Sequence, residues 1–354
     1  MSAGAELLGV GMMTPVGVTA PSTAAAIRAG IIRTRETPLL DLRFRPYIGA
    51  FVPEEYLPVP GLPAARGLAV REQRMLRLAL PALKEAAEGL DRPVPLMLGL
   101  PEGGTAGKHE PVVPFLKALS HASGVALDME RSRCFPKGRA AGLLALDAAV
   151  RLLDEGRVPA VLVGGVDSLL DPMTLAALEG DGRIRQHGPV DGLIPGEGGV
   201  FLWLGRAGSG KRLSRRPLAR IVATATGIEP GHRYSKEPYL GEGLAEACRL
   251  LLASVPAGLS SVRCVYAGFN GERFWAKEWG VAFLRSRERF VESYEIKHPA
   301  ENVGDPGAAY GPLMVGVAAL GLRKGYCQGP VLVWCSSDHE ARGAALLHQE
   351  APEG

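Results

Sequence analysis

Residues 142–165 read GLLALDAAVRLLDEGRVPAVLVGG, and this stretch decides the fold class. Leu143, Leu146, Val150 and Leu153 recur at helical spacing, so a helix runs from about Arg139 to Glu155 with Gly156 as its C-cap. An unbroken apolar run, Ala160–Gly164, follows and closes on Gly164-Gly165. A helix feeding directly into a strand is the repeating unit of an α/β protein.

The alternation continues outward in both directions. Strands are expected at Leu7–Met12, Val94–Gly99, Val200–Leu204, Ala219–Ala225, Val262–Ala267, Val331–Cys335 and Ala344–His348. Arg71–Glu88 reads as an amphipathic helix, with Met75, Leu78 and Ala82 on one face and Arg74, Arg77 and Lys84 on another. The second half repeats the order of the first. A strand near Ala219 precedes a helix at Glu242–Leu252 and a strand at Val262. An irregular segment with Trp275 and Trp279 follows, then a Gly-rich helix over about Pro306–Leu322 and the closing strands. The expected organisation is one pseudo-symmetric molecule: an N-terminal half over 1–205, a linker loop over 206–217 and a C-terminal half over 218–354. The two tryptophans, four apart, suit either a core pair or an interface.

Composition narrows the function classes. The chain has 354 residues, 47% hydrophobic and 22% charged, with a formal net charge of +3, so it reads as a compact globule with no electrostatic case for nucleic acid. Its one dense basic run, Lys211, Arg212, Arg215, Arg216 and Arg220, reads as a solvated loop or as a local anion or partner contact. Cys134, Cys248, Cys264, Cys327 and Cys335 are scattered and form no CxxC pair, which argues against a disulfide framework or zinc site and fits a reducing, cytoplasmic setting. Pro15 interrupts the apolar stretch Leu7–Val18, and no run of about 18 apolar residues occurs, so neither a signal peptide nor a membrane span is expected. Gly205 to Lys211 satisfies GxxxxGK, but Arg212 stands where a phosphate loop needs Ser or Thr, leaving a flexible turn as the expectation. No cofactor or metal is expected.

Four segments in order carry a family resemblance. They are Gly9-Val-Gly11-Met-Met-Thr14-Pro15-Val-Gly17 with Ala29-Gly30 downstream, the stretch Gly142–Gly165, Asp191-Gly192-Leu-Ile-Pro-Gly196-Glu197-Gly198-Gly199, and Val303-Gly304-Asp305-Pro-Gly307-Ala308-Ala309. Together they resemble the β-ketoacyl synthases of the thiolase superfamily, the third segment matching the family's DGxxxGEG loop. The resemblance implies a thiolase-like fold, two pseudo-symmetric halves in an α-β-α-β-α layering. It also casts Glu197 as a buried hydrogen-bonding residue that positions its loop.

Such enzymes need a thiolate at a helix N-terminus and two His, or His and Asn, donors. Aligned without a gap, the nucleophile position holds Arg139, the first histidine position Gly268 or Phe269, and the second Asp305. Ser336-Ser337-Asp338-His339-Glu340 stands where the family carries its GFGG gating loop. Cys134, as a displaced nucleophile, and His298, as an acid or base, are the remaining candidates. An arginine at a helix N-terminus opposes the dipole at a cost of about 0.3–1 kcal/mol, so an acidic partner is expected nearby. Asp305 pairing with Arg139 as a plug is one arrangement; Arg139 holding a phosphopantetheine phosphate or a free carboxylate is the other.

The resemblance therefore implies a catalytically degenerate synthase-like protein acting as a non-catalytic accessory or protein-binding scaffold. By analogy alone, that role extends to effector loading beside bacterial secretion genes. The alternatives are an active 3-oxoacyl-acyl carrier protein synthase or acyltransferase with a displaced nucleophile, and a chain-length-factor-like subunit paired with an intact synthase. A homodimer is implied, with the strand near Leu127–Arg133 as its seam, and a secretion component, synthase subunit or acyl carrier protein as further partner.

Overall fold

The computed structural model describes residues 4–59, 62–103, 112–185, 191–255, 259 and 261–349. Twelve strands occur among them: β1 (Ala5–Met13), β2 (Arg35–Leu40), β3 (Pro46–Gly49), β4 (Leu96–Leu100), β5 (Arg133–Pro136), β6 (Ala160–Ser168), β7 (Glu197–Arg206), β8 (Ala219–Ile228), β9 (Val262–Tyr266), β10 (Phe290–Lys297), β11 (Val331–Ser336) and β12 (Ala341–His348). Strands β2 and β3 form a separate hairpin, and the other ten share one sheet in the order β10-β9-β11-β12-β8-β1-β7-β6-β4-β5.

That order repeats itself. Outward from the centre the first half runs β1-β7-β6-β4-β5 and the second β8-β12-β11-β9-β10, which is the same permutation of each half's own five strands. Pair directions match as well: β6–β4–β5 and β11–β9–β10 are parallel, while β1–β7–β6 and β8–β12–β11 are antiparallel. The halves meet where Ala5–Leu7 of β1 pair with residues 219–221 of β8.

Strands β1, β6, β7 and β11 lack polar alternation because both of their faces are buried. Along β7, Val200, Leu202 and Leu204 face a central core, while Phe201 and Trp203 face an outer one with the helices Val70–Ala86 and Val112–Ser123. Along β11, Val331, Val333 and Cys335 face the central core, and Leu332 and Trp334 face the opposite outer core with Glu242–Ala253 and Arg273–Leu284. The central core is filled by the helices Ala141–Asp154 and Tyr310–Lys324. The central core, which holds the middle helix layer between the two halves of the sheet, and the two outer cores together give the α-β-α-β-α arrangement.

The central helices touch at their N-terminal ends. A Cβ on Gly142 would lie 2.2 Å from Pro312 Cδ, so only glycine permits the approach there. A one-turn 3-10 segment leads into each helix, Gly138–Ala140 and Gly307–Ala309, and each opens on a glycine with positive φ, 59° and 53°. Equivalent turns of the two halves are thus brought face to face, with Arg139 in one and Asp305 just before the other.

Some expectations change. The irregular tryptophan segment is the helix Arg273–Leu284, and Trp275 and Trp279 are core residues, Trp279 stacked on Trp334 at 5.5 Å. Its helical period is masked in sequence because the buried face, Trp275, Glu278, Trp279 and Ala282, carries a charged residue, while the apolar Leu284 lies exposed. The seam strand near Leu127–Arg133 is also revised: Leu127 makes one isolated bridge to Val94, and the edge strand is β5, starting at Arg133. Arg74 and Arg77 do not sit on a solvated face, since Arg74 bonds Glu197 and the Val52 carbonyl and Arg77 bonds the Pro58 carbonyl.

Nor is the segment over 206–217 a free loop. It carries the helical turn Ser209–Arg212, and the buried Glu6 carboxylate accepts the Gly208 and Gly210 amides at 2.5 and 2.7 Å. An internal carboxylate fills the amide nest that mimics a phosphate loop in sequence.

The close passage of β6 under the turn at 307–309 gives a test. A Cβ on Gly165 would lie 2.2 Å from the Ala308 carbonyl oxygen, a backbone atom that cannot rotate away. Gly165→Ala is expected to lower unfolding free energy by about 2 kcal/mol in urea titrations, within the usual range for overpacking; an unchanged midpoint would contradict the packing described.

Candidate functional site

Arg139 is buried. Its Nε lies 2.9 Å from Asp305 Oδ2, Nη2 donates to the Gly268 carbonyl at 2.5 Å, and Nη1 to the Ser336 carbonyl at 3.3 Å. The Nε contact is ionic rather than a well-aimed hydrogen bond. The guanidinium carbon sits 4.8 Å from the Trp275 ring centre and 5.5 Å from that of Tyr310. Burial opposes the charge, but Asp305, and more weakly Cys335, Asp338 and Tyr310, hold the guanidinium above its ordinary pKa.

Asp305 is equally enclosed and carries its partner's counter-charge into a longer chain. Its Oδ1 accepts the Gly307 amide at 3.0 Å and its Oδ2 the Asn270 side-chain amide at 2.7 Å. Asn270 also donates to Glu272 at 3.0 Å. Arg183 grips Glu272 through Nε and Nη2, both at 2.9 Å, and Asp338 through Nη1 and Nη2 at 2.7 and 2.9 Å. Arg233 adds contacts to Glu272 at 2.9 Å and Asp338 at 3.6 Å. Three guanidiniums thus face three carboxylates. Neutrality is what makes burial of so many charges tolerable, because an unpaired ion in the interior costs several kcal/mol.

The segment Ser336–Glu340 is tied to the turn at 138–140. Ser337 Oγ accepts the Ala140 amide at 3.0 Å and donates to the Lys137 carbonyl, Glu340 pairs with Lys137 at 2.9 Å, and His339 Nδ1 faces Glu102 at 3.0 Å. From the other side, Arg342 donates to the Ser337 and His339 carbonyls and pairs with the buried Glu278.

The remaining candidates lie apart from this cluster or serve its frame. Cys134 sits on β5, where burial alone pushes its thiol up to about 12, so a thiolate is scarce at neutral pH. Burial likewise pushes Cys335, which is fully enclosed near Arg139, up to about 12. His298 is partly exposed beside Glu301 at 3.7 Å. Gly268 contributes its carbonyl, and Phe269 packs edge-on to Trp334. Glu197 is fully buried and accepts from the Val52 amide, Arg74 and Ser168. Asp191 accepts the Arg273 amide at 2.8 Å, at the start of the helix Arg273–Leu284. Gly196 and Asp305 are strapped backbone to backbone, Gly196 N–H to Asp305 O and Asp305 N–H to Ile194 O, which leaves no room for a Cβ at Gly196 and sets Gly304 at φ 69°. A Cβ at Gly164 would strike the Phe201 ring, and one at Gly307 the Asp167 carboxylate; Gly198 packs by the Met13 carbonyl.

Sequence reasoning missed Arg183, Asn270, Glu272 and Asp167, the last of which accepts the Ala308 amide at 3.1 Å and pairs with Arg71. Asn270 lay inside the stretch read for the first histidine, so a search for a partner to Asp305 would have found it. Nothing in the sequence around Arg183 marks it.

Two outcomes follow. Asp305→Ala leaves Arg139 buried without its carboxylate and is expected to cost about 3–5 kcal/mol, whereas Arg139→Met with Asp305→Asn recovers most of that loss; additive losses in a urea-measured double-mutant cycle would break the pairing. Burial opposes the Glu272 charge, but Arg183, then Arg233 and Asn270, hold this carboxyl down at about 2 against an ordinary 4.5. Its stabilisation is therefore complete above pH 4.5 and lost as pH falls toward 2. Glu272→Gln should remove on the order of 2 kcal/mol of the wild-type stability change across that window, read from denaturant midpoints against pH.

Residues 138–207, from the Arg139 turn through β7, match the family model for the β-ketoacyl synthase N-terminal domain. Among curated proteins, the actinorhodin polyketide putative β-ketoacyl synthase 2 of Streptomyces coelicolor is 30% identical over 201 residues, 53% of this chain and 47% of that protein. The match thus spans about half the length of that relative. An oxazolomycin ketosynthase domain from Streptomyces albus JA3453 superposes with a TM-score of 0.81 at 15% identity, over 99% of this chain and 76% of that one. The ishigamide ketosynthase/chain length factor gives 0.76 at 16% identity, over 98% and 99%. The ketosynthase from module 6 of the Bacillus subtilis bacillaene synthase gives 0.78 at 13%, over 99% and 72%. Sheet order, layering and these matches agree on a thiolase-like fold, with residues 138–207 similar to the β-ketoacyl synthase N-terminal domain.

Proposed function

We propose that this chain is a non-condensing β-ketoacyl synthase-like protein that works by holding a protein partner, as a chain-length-factor-like subunit does. The observation that carries this reading is the charge-balanced plug at the nucleophile turn. Arg139 stands where a thiolate is needed, its guanidinium is spent on Asp305 and two carbonyls, and the segment over it is pinned on several sides. Cys134 and Cys335 offer no ready thiolate, which disfavours an active synthase with a displaced nucleophile. Arg139 as a receptor for a phosphate or carboxylate is disfavoured too, because its donors are already used inside the protein.

The comparisons support the choice of partner. One relative is described as a putative β-ketoacyl synthase 2, one similar structure as a ketosynthase/chain length factor, and another as an acyl carrier protein in complex with its ketosynthase. The strand β5 pairs with β4 at one end of the sheet, the place where a second subunit, an intact synthase or a second copy, would add. A secretion component is the other partner class, and no residue of the site speaks for it.

Two measurements decide the matter. Intact-protein mass spectrometry after incubation with acyl-CoA or acylated carrier protein should show an unchanged mass; a covalent acyl adduct overturns the non-condensing reading. Light scattering, alone and with an intact synthase, should show a two-subunit particle. A chain that stays monomeric in both settings overturns the partner reading.

A further inference from the structure

The basic run 211–220 is not absorbed by the reading above, and it leads to a second place in the fold. Arg216, Pro217 and Leu218 form one wall of a cleft whose other walls are Leu322, Arg323, Lys324 and Gly325 at the end of a central helix, with Gln349 beyond β12. The helix runs from Tyr310 to Lys324, so the cleft lies roughly 20 Å from the Arg139–Asp305 turn, at the opposite end of the molecule.

Basic residues in a last helical turn commonly cap its free carbonyls. Here that work is already done: the Gly325 amide donates to Leu322, the Tyr326 and Cys327 amides to Gly321, and Gln349 Nε2 to Leu322. Arg323 is left over. Its Nη1 is enclosed yet meets no hydrogen-bond acceptor, and no carboxylate lines the cleft among the described residues. Burial, then the charge of Arg216, hold the Arg323 guanidinium below its ordinary pKa. Two guanidiniums and an ammonium converge on a space with no compensating anion, and guanidinium pairs suit the oxygens of a phosphate group.

We propose that the cleft formed by Arg216, Arg323 and Lys324 is a binding site for a phosphate-bearing small molecule. It is independent of the site at Arg139 and stands whether or not the chain condenses acyl groups. The phosphate oxygens accept from Arg323 Nη1 and the Arg216 guanidinium, and Lys324 adds charge at the rim.

Calorimetric titration of the full chain with inorganic pyrophosphate at low ionic strength tests this. One site is expected, with affinity falling at least tenfold in R216Q/R323Q and staying within twofold in R285Q, a basic-residue control on another helix. Arg216 is exposed, so R216E alone gives the same readout without risk to the fold if the double variant melts early. Absence of binding to the native chain, or equal binding to native and R216E proteins, overturns the proposal. So does binding that appears only in a chain ended after Gln349, because Glu350 and Glu353 would then be the occupants.

Discussion

A guanidinium buried at the start of a helix is the constraint to which the centre of this molecule answers. The positive end of the helix dipole and the loss of water both oppose Arg139, and the nearest opposite charge, Asp305, comes from the equivalent turn of the other half. Asp305 in turn is oriented by the Gly307 amide and Asn270. Asn270 leans on Glu272, and Glu272 is shared by Arg183 and Arg233, which reach Asp338 in the segment over the site. Each member is acceptable only because the next one balances it. The segment Ser336–Glu340 is consequently held down by charge and hydrogen bonds rather than by apolar packing.

On the non-condensing reading proposed above, this arrangement keeps the fold intact while leaving condensation no foothold at Arg139. Condensation needs a group that gives up a proton easily and donors left free to receive a developing oxyanion. Here the donors are occupied by carbonyls and a carboxylate, and burial pushes the Cys134 and Cys335 thiols up. The glycines at 165 and 196 bring backbone close to backbone, and those at 142 and 307 admit Pro312 and the Asp167 carboxylate.

The same economy of charge is absent at the far end of the central helix. There the carbonyls are capped by backbone amides and Gln349, and Arg323 Nη1 meets no acceptor among the described residues. The contrast between a neutralised cluster and a bare one, at two ends of one helix, is what separates the structural use of Arg139 from the ligand-binding role proposed for Arg323.

The sequence by itself determined the α/β class, the repeat of one unit in two halves, and the positions of Arg139, Gly268 and Asp305 within a recognisable frame. These are local properties: period, glycine spacing and ordered motifs. It could not reveal the helix at Arg273–Leu284, whose buried face includes the charged Glu278, or the edge strand β5, whose four residues are defined by pairing with the distant β4. The partners of the buried charges were beyond it as well. Arg183 and Glu272 are 89 positions apart and Arg183 and Asp338 are 155 apart, and no local signal encodes an encounter between residues so distant in the chain. Tertiary structure alone decided that the amides of the phosphate-loop look-alike close on Glu6, and that Arg139 is surrounded by the protein's own acceptors.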